Sequence, residues 1–240
     1  QVYATCHDTA PVPLIDDGSP SAECGTIQHF SGERIFDPDG DTIVDFQWFE
    51  QFVDHREPVG TGPTLDRVFG VGYHIVGLFV TDSHGRSEEA LFGLRVVDTL
   101  PPVIDSWDVA RACLWPPNHK LISYSVGTDL LTTVHDACDS APSIRVLSVT
   151  SSQPQDGLGD GATVPDVIVA AAGQSFCVRS ERSGTSRSPR LYAAAVTATD
   201  SAGNSSSGTV QIAVAHDQRP SERCRGIEPN DFACALASGH

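Results

Sequence analysis

Apolar and polar residues alternate in a succession of short runs along the chain, and none of the runs keeps a helical period for a useful length. In residues 42–49 Val44, Phe46 and Trp48 share one phase, with Asp45 and Gln47 on the other. Further strands are predicted at residues 12–15, 64–69, 73–81 and 90–97. A second series follows at residues 120–126, 143–150, 166–170, 176–180, 192–199 and 209–215. Two of these runs end in the same turn chemistry. Residues 73–81 close on Asp82-Ser-His-Gly85, residues 192–199 close on Asp200-Ser-Ala-Gly203, and each turn leads into another apolar run. Asp-Ser-x-Gly suits a hairpin, because Asp starts the turn and Gly takes the positive φ that ends it.

The repeated hairpin and the strand spacing predict an all-β chain of two tandem immunoglobulin-like antiparallel β-sandwiches. The first domain spans residues 1–98 and the second 103–218, joined by a short stiff segment ending in Pro101-Pro102; residues 219–240 form a tail. A length of 240 residues suffices for two modest cores, and 21 Gly with 16 Pro fits many tight turns. No apolar run reaches the ~20 residues of a membrane span, so no membrane insertion is expected.

Seven cysteines lie in the chain with no Cys-x-x-Cys spacing, which favours disulfides over metal clusters. The expected bridges are Cys6 with Cys24 and Cys224 with Cys234 as local loops, the second tethering the tail, and Cys113 with Cys138 inside the second domain. Cys177 is left over, as a buried thiol or a bond to another chain. The absence of Met, even at position 1, suggests a processed chain that has lost a signal peptide, hence a secreted or cell-surface protein. A net charge of −16 disfavours nucleic acid and anionic membranes and favours cations.

The sharpest chemical motif is Asp37-Pro-Asp39-Gly-Asp41, just before the Trp48 strand. Alternate carboxylates around a glycine let three hard oxygen ligands converge, which suits Ca²⁺. A second candidate calcium loop comprises Asp156, Asp160 and Asp166, with Gly157, Gly159 and Gly161 giving the backbone freedom to wrap an ion. Trp115-Pro-Pro-Asn-His-Lys120 reads as structural, with Trp115 closing one end of a sandwich and His119 capping a neighbouring loop. Gly-x-Ser-x-Gly, His-Glu-x-x-His and P-loop motifs are all absent, so no catalytic activity is expected.

Asp37-Pro-Asp-Gly-Asp41, Phe46-x-Trp48 and the run from Gly72 to Asp82 with Gly85 resemble the PKD (polycystic kidney disease) domain of secreted bacterial proteins. That resemblance implies a calcium site at Asp37, Asp39 and Asp82. The chain departs from the family after Trp48, where Phe49-Glu-Gln-Phe52 replaces the usual Asp-Phe-Gly-Asp-Gly turn. Asp136-Ala-Cys-Asp139 and Ala198-Thr-Asp-Ser-Ala-Gly-Asn204 are similar to the hyalin-repeat group of immunoglobulin-like modules. Leu114–Leu121, the 156–161 loop, Glu181-Arg-Ser-Gly184 and His216-Asp-Gln218 resemble a module near the C-termini of large bacterial surface proteins.

The expected function is therefore a secreted, Ca²⁺-stabilised structural or adhesive protein that self-associates as a homopolymer, such as an extracellular fibre, or binds other cell-surface components. The alternative is an accessory spacer or carbohydrate-binding module of a secreted hydrolase. A solvent-facing row of aromatic side chains would distinguish the second from the first.

Overall fold

A computed structural model describes residues 8–16 and 19–215. The described residues are all strand, turn and loop, and the chain divides into two compact units, Gln1–Thr99 and Leu100–His240.

Unit 1 holds β1 (Ser21–Glu23), β2 (Ile27–Ser31), β3 (Ile43–Gln51), β4 (Arg56–Thr61), β5 (Thr64–Val68), β6 (Gly72–Asp82) and β7 (Ser87–Val97). A five-stranded sheet runs in the order β1-β7-β6-β3-β4, and β2 pairs with β5 as the second layer. The layers meet on aromatic side chains. Phe30 of β2 lies 6.2 Å from Trp48 and 6.0 Å from Phe92, ring centre to ring centre. Trp48 is fully buried and donates its indole N–H to the Gly62 carbonyl at 2.8 Å, so its one polar atom is satisfied inside the core.

Two expectations fail in unit 1, one in β3 and one ahead of β1. The register slips between Ile43 and Asp45, which turns Val44 out to 61% exposure while Phe46 and Trp48 keep the inward phase. Residues 12–15 form no strand and contribute only an isolated bridge, Val12 to Phe36. The Phe49–Phe52 departure also has its explanation here. The strand continues to Gln51, and buried Glu50 faces His74 Nδ1 at 2.7 Å instead of entering a turn.

On the outer side of the same sheet, Phe49 lies across Gly77, its partner on β6. A Cβ at Gly77 would sit 2.1 Å from Phe49 Cζ, with two more ring atoms under 3 Å. Gly77→Ala should therefore overpack the site and cost about 1–3 kcal/mol, seen as a lower urea midpoint. An unchanged midpoint would show that the ring moves aside freely.

Unit 2 holds β8 (Val103–Val109), β9 (Cys113–Leu114), β10 (Leu121–Ser125), β11 (Leu130–His135), β12 (Ser143–Ser151), β13 (Val167–Val169), β14 (Ser175–Arg179), β15 (Arg190–Thr199) and β16 (Ser205–Val214). Its sheets run β12-β15-β16-β9, β10-β14-β13 and β11-β8. Tyr124 stacks on Phe176 at 5.0 Å, and Tyr192, Val196 and Ile212 complete the centre of the core. The sheets are antiparallel except at two edges. The short strands β1 and β9 join the last strands of their units, β7 and β16, in parallel. In both units a short early strand thus covers an otherwise open edge.

Cys24, Cys113, Cys138 and Cys177 are disulfide-bonded. Cys177 is thus not a free thiol. It alternates with Phe176 and Val178, which occupy the core, so its sulfur faces the opposite side of β14. Cys6, Cys224, Cys234 and the tail 219–240 lie outside the described residues.

Candidate functional site

Register explains how distant carboxylates meet in unit 1. Ile43, the first residue of β3, pairs with Asp82, the last of β6, so the turn preceding β3 is laid against the turn following β6. In the first turn Gly40 takes φ 85° and donates its N–H to the Asp37 carbonyl at 3.1 Å. The Asp37 Oδ1 accepts from Asp39 N at 2.8 Å and Asp41 N at 3.3 Å. In the second turn Gly85 takes φ 84°, and Asp82 Oδ1 accepts from His84 N at 2.8 Å and Arg86 N at 2.9 Å.

Each buried aspartate therefore spends one oxygen on its own turn. The other oxygen of each, Oδ2 of Asp37 and Oδ2 of Asp82, is buried without a hydrogen-bond partner. Ligand oxygens of Asp37, Asp41 and Asp82 all lie within 4.8 Å of one another. Buried acceptors of this kind are costly unless something donates to them or coordinates them. The chemistry of the set, three hard anionic oxygens held by rigid turns, fits Ca²⁺.

Asp39 is the predicted member that does not converge. Its carboxylate points away, to the backbone N–H of Thr9 at 2.6 Å and to the Thr9 hydroxyl. Those two bonds hold its pKa below the usual carboxylate value. Two residues that the sequence reading did not single out stand beside the cluster. His84 Nδ1 is 2.9 Å from Asp41 Oδ2, and that contact raises the His84 pKa; Asp8 shares a second group with Asp41 and His84. His84 had a signal, since it sits inside the Asp82-Ser-His-Gly85 turn itself.

The second predicted calcium loop is not a converging set. Asp156 is exposed, in the left-handed region at φ 71°. Asp160 is buried but serves its own loop, accepting from Gly157 N and from Ala162 N at 3.3 Å. Asp166 is buried in an ionic network, its Oδ2 bonded to Arg190 Nη2. Arg190 Nη1 reaches Glu181 Oε1 at 3.4 Å, and Arg179 Nε lies 3.6 Å from Asp166. Arginine supplies the positive charge that a metal ion was expected to bring. Burial, together with a hydrogen bond to Glu181, pushes the Asp166 pKa up. For Glu181 burial acts in the same direction, but bonds from Asp166, Thr163 and His119 outweigh it and leave the pKa lowered. His119 thus sits on this network, its Nδ1 3.1 Å from Glu181, while Trp115 remains 38% exposed.

The turn at Asp200 repeats the backbone of the Asp82 turn but closes differently. Gly203 takes φ 96°, and Asp200 Oδ1 accepts from Asn204 N at 2.8 Å. Its second oxygen is met by the Asn204 side-chain amide at 3.0 Å, where Asp82 has none. Burial opposes the charged form of Asp200, but the Asn204 and turn N–H bonds prevail and lower its pKa below 3.8. A depressed acid pKa contributes stability above the unfolded value and loses it as pH falls through the folded one. Asn204→Ala should move the Asp200 carboxyl titration, followed by ¹³C NMR, upward toward 3.8; an unmoved titration would mean the backbone bonds alone set it.

No protein-family model matches the chain, and no curated protein does. Solved structures do show similarity. Carbohydrate-binding modules of the β-sandwich superfamily align at TM-score 0.34 and 13% identity, over 79% of this chain and 59% of theirs. The Clostridium thermocellum CbhA fibronectin(III)-like modules align at 0.29 and 13%, over 87% of this chain and 100% of theirs. A bacterial ice-binding adhesin of 1.5 MDa aligns at 0.31 and 13%, over 86% of this chain and 65% of that one. The chain spans about three-fifths of the length of the first of these structures.

Proposed function

We propose that this chain is a secreted, Ca²⁺-stabilised structural or adhesive protein, with unit 1 a PKD-like domain that carries the ion. The observation that carries this reading is that Asp37 and Asp82 each keep a buried, unpartnered oxygen and belong, with Asp41, to one set of carboxylates whose ligand oxygens lie within 4.8 Å of one another. A divalent cation there would satisfy both and relieve the mutual repulsion of the carboxylates. Disulfide bonding at four cysteines supports an oxidising compartment outside the cytosol. The ion's role is to lock two turns at one end of the sandwich, a mechanical function that fits a chain acting by contact rather than by chemistry. Association with further copies, or with other surface components, is part of the reading.

Calorimetric titration of the full chain with Ca²⁺ and with Mg²⁺ tests it. Ca²⁺ should bind and Asp82→Asn should abolish the tight site, while Mg²⁺, which keeps its waters and demands a stricter octahedron, should bind far more weakly. Sedimentation in Ca²⁺ and in EGTA reads association in the same samples. A chain that takes up no Ca²⁺ overturns the calcium part, and one that stays monomeric in Ca²⁺ at high concentration overturns self-association.

A further inference from the structure

We propose that the outer face of the five-stranded sheet in unit 1 binds a neutral pyranose chain, a function separate from the carboxylate cluster at the end of the sandwich. Register sets the face. Phe49 stands opposite Gly77, which stands opposite Leu91; one stride along, Gln47 stands opposite Phe79, which stands opposite Glu89. Tyr73 lies on the same face of β6 and is 70% exposed, and Leu91 is 53% exposed.

Two glycines shape this surface. Phe49 lies over Gly77, and Tyr73 crosses the neighbouring strand so that a Cβ at Gly93 would fall 2.2 Å from its hydroxyl oxygen. With no Cβ beneath them the rings can lie along the sheet rather than stand up from it. Between β3, β4 and β6 the face is concave, a cavity of about 370 Å³ lined by Gln47, Phe49, Arg56, Pro58, Thr61 and Phe79. That is within the ~300–1,000 Å³ of small-ligand sites.

The polar groups fix the class of occupant. The Arg56 guanidinium lies 4.5 Å above the Phe49 ring and is held in place by Glu89, at 2.7 and 3.1 Å, and by Gln51 Oε1 at 2.7 Å. Its charge is cancelled where it stands, and the Asp45 carboxylate that holds the Gln47 amide at 2.6 Å adds negative charge at the rim, so nothing in the lining attracts an anion. The chain as a whole carries −16, which opposes an anionic polymer. A lining of aromatic rings, an internally neutralised Arg–Glu pair and uncharged polar groups suits a neutral ligand with an apolar face and a polar edge. A pyranose ring has both: its C–H face packs on Phe79 or Tyr73, and its hydroxyls exchange hydrogen bonds with Gln47, Thr61 and the outer atoms of the Arg56–Glu89 pair. Sugar rings bound through aromatic stacking and pre-ordered polar groups lose little to side-chain ordering.

Affinity electrophoresis of the full chain tests this, in gels holding hydroxyethylcellulose, mixed-linkage β-glucan, xylan, galactomannan or, as the anionic control, polygalacturonate. At least one neutral polysaccharide should retard the chain. Tyr73→Ala and Gln47→Ala, both at exposed positions, and Phe79→Ala should each weaken that retardation at least about fivefold with circular dichroism unchanged. Retardation should persist in EGTA and in Asp82→Asn, so failure of the calcium reading leaves this result standing and the reverse also holds. The proposal is overturned if no neutral polysaccharide retards the chain, if only polygalacturonate does, or if all three variants migrate like the wild type. It is equally overturned if the variants lose only self-association, which would make the face a contact between copies.

Discussion

Arg190→Ala should destabilise unit 2 by about 3–5 kcal/mol, because it removes the cation from between two buried carboxylates. Arg190 and Glu181 are fully buried and Asp166 is 1% exposed, so water cannot take over the lost contacts. Arg179 can compensate in part, since its Nε lies 3.6 Å from Asp166 and 3.9 Å from Glu181, but it already donates to the Pro165 and His119 carbonyls. Against a domain stability of ~5–15 kcal/mol, a loss of this size removes much of the margin. Urea unfolding at neutral pH measures it, and a change under about 1 kcal/mol would show that the network relaxes onto other partners.

The pH dependence of that variant carries a sign. With the guanidinium gone, burial raises the folded pKa of both carboxyls, so protonated forms are favoured in the folded state. A raised acid pKa contributes stability below the unfolded value and loses it as pH rises through the folded one. The variant should therefore lie closer to wild type at pH 4 than at pH 8. Replacing Asp166, Glu181 and Arg190 together by apolar residues of similar size should cost less than Arg190→Ala alone, since no charge is then left buried and unpaired.

How far the sequence reaches is visible in the same residues. The period-2 runs identified β3, β6, β7, β12, β15 and β16, because these long strands bury one face and the alternation survives. It did not identify β4, whose Arg-Glu-Pro-Val-Gly-Thr reads as a loop; as an edge strand it tolerates Pro58 and Gly60. The strands β2, β8 and β11 were missed for a related reason, since their polar alternate residues and small buried share leave a weak pattern. The meeting of Asp37 with Asp82 was expected only from the resemblance to the PKD domain, because the turn chemistry marks each aspartate but does not show that β3 and β6 are neighbours. The outward turn of Asp39 was not expected, since it depends on Thr9, far away in sequence. Asp166 shows the limit most plainly. A buried carboxylate needs a positive partner, and nothing local tells whether that partner is a metal ion or Arg190 arriving on a later strand.

Removing Ca²⁺ should lower the unfolding temperature of unit 1 by roughly 10–20 °C. At a concentration a hundredfold above its dissociation constant, a ligand that binds only the folded state contributes about 2.7 kcal/mol, and each kcal/mol is worth ~4–8 °C in a domain of this size. Trp48, the one tryptophan among residues 1–99, reports this transition by fluorescence. Asp82→Asn should abolish the calcium response yet melt above calcium-free wild type. It deletes one of three crowded carboxylates and supplies an amide N–H to a neighbour, as the Asn204 amide does for Asp200 in unit 2. Asp39→Ala should keep the response, because the Asp39 carboxylate is turned to Thr9 rather than to the cluster. A wild-type transition indifferent to EGTA would remove the ion from this site. Equal loss of response in Asp39→Ala and Asp82→Asn would instead keep the ion and overturn the assignment of Asp37, Asp41 and Asp82 as the carboxylates that hold it.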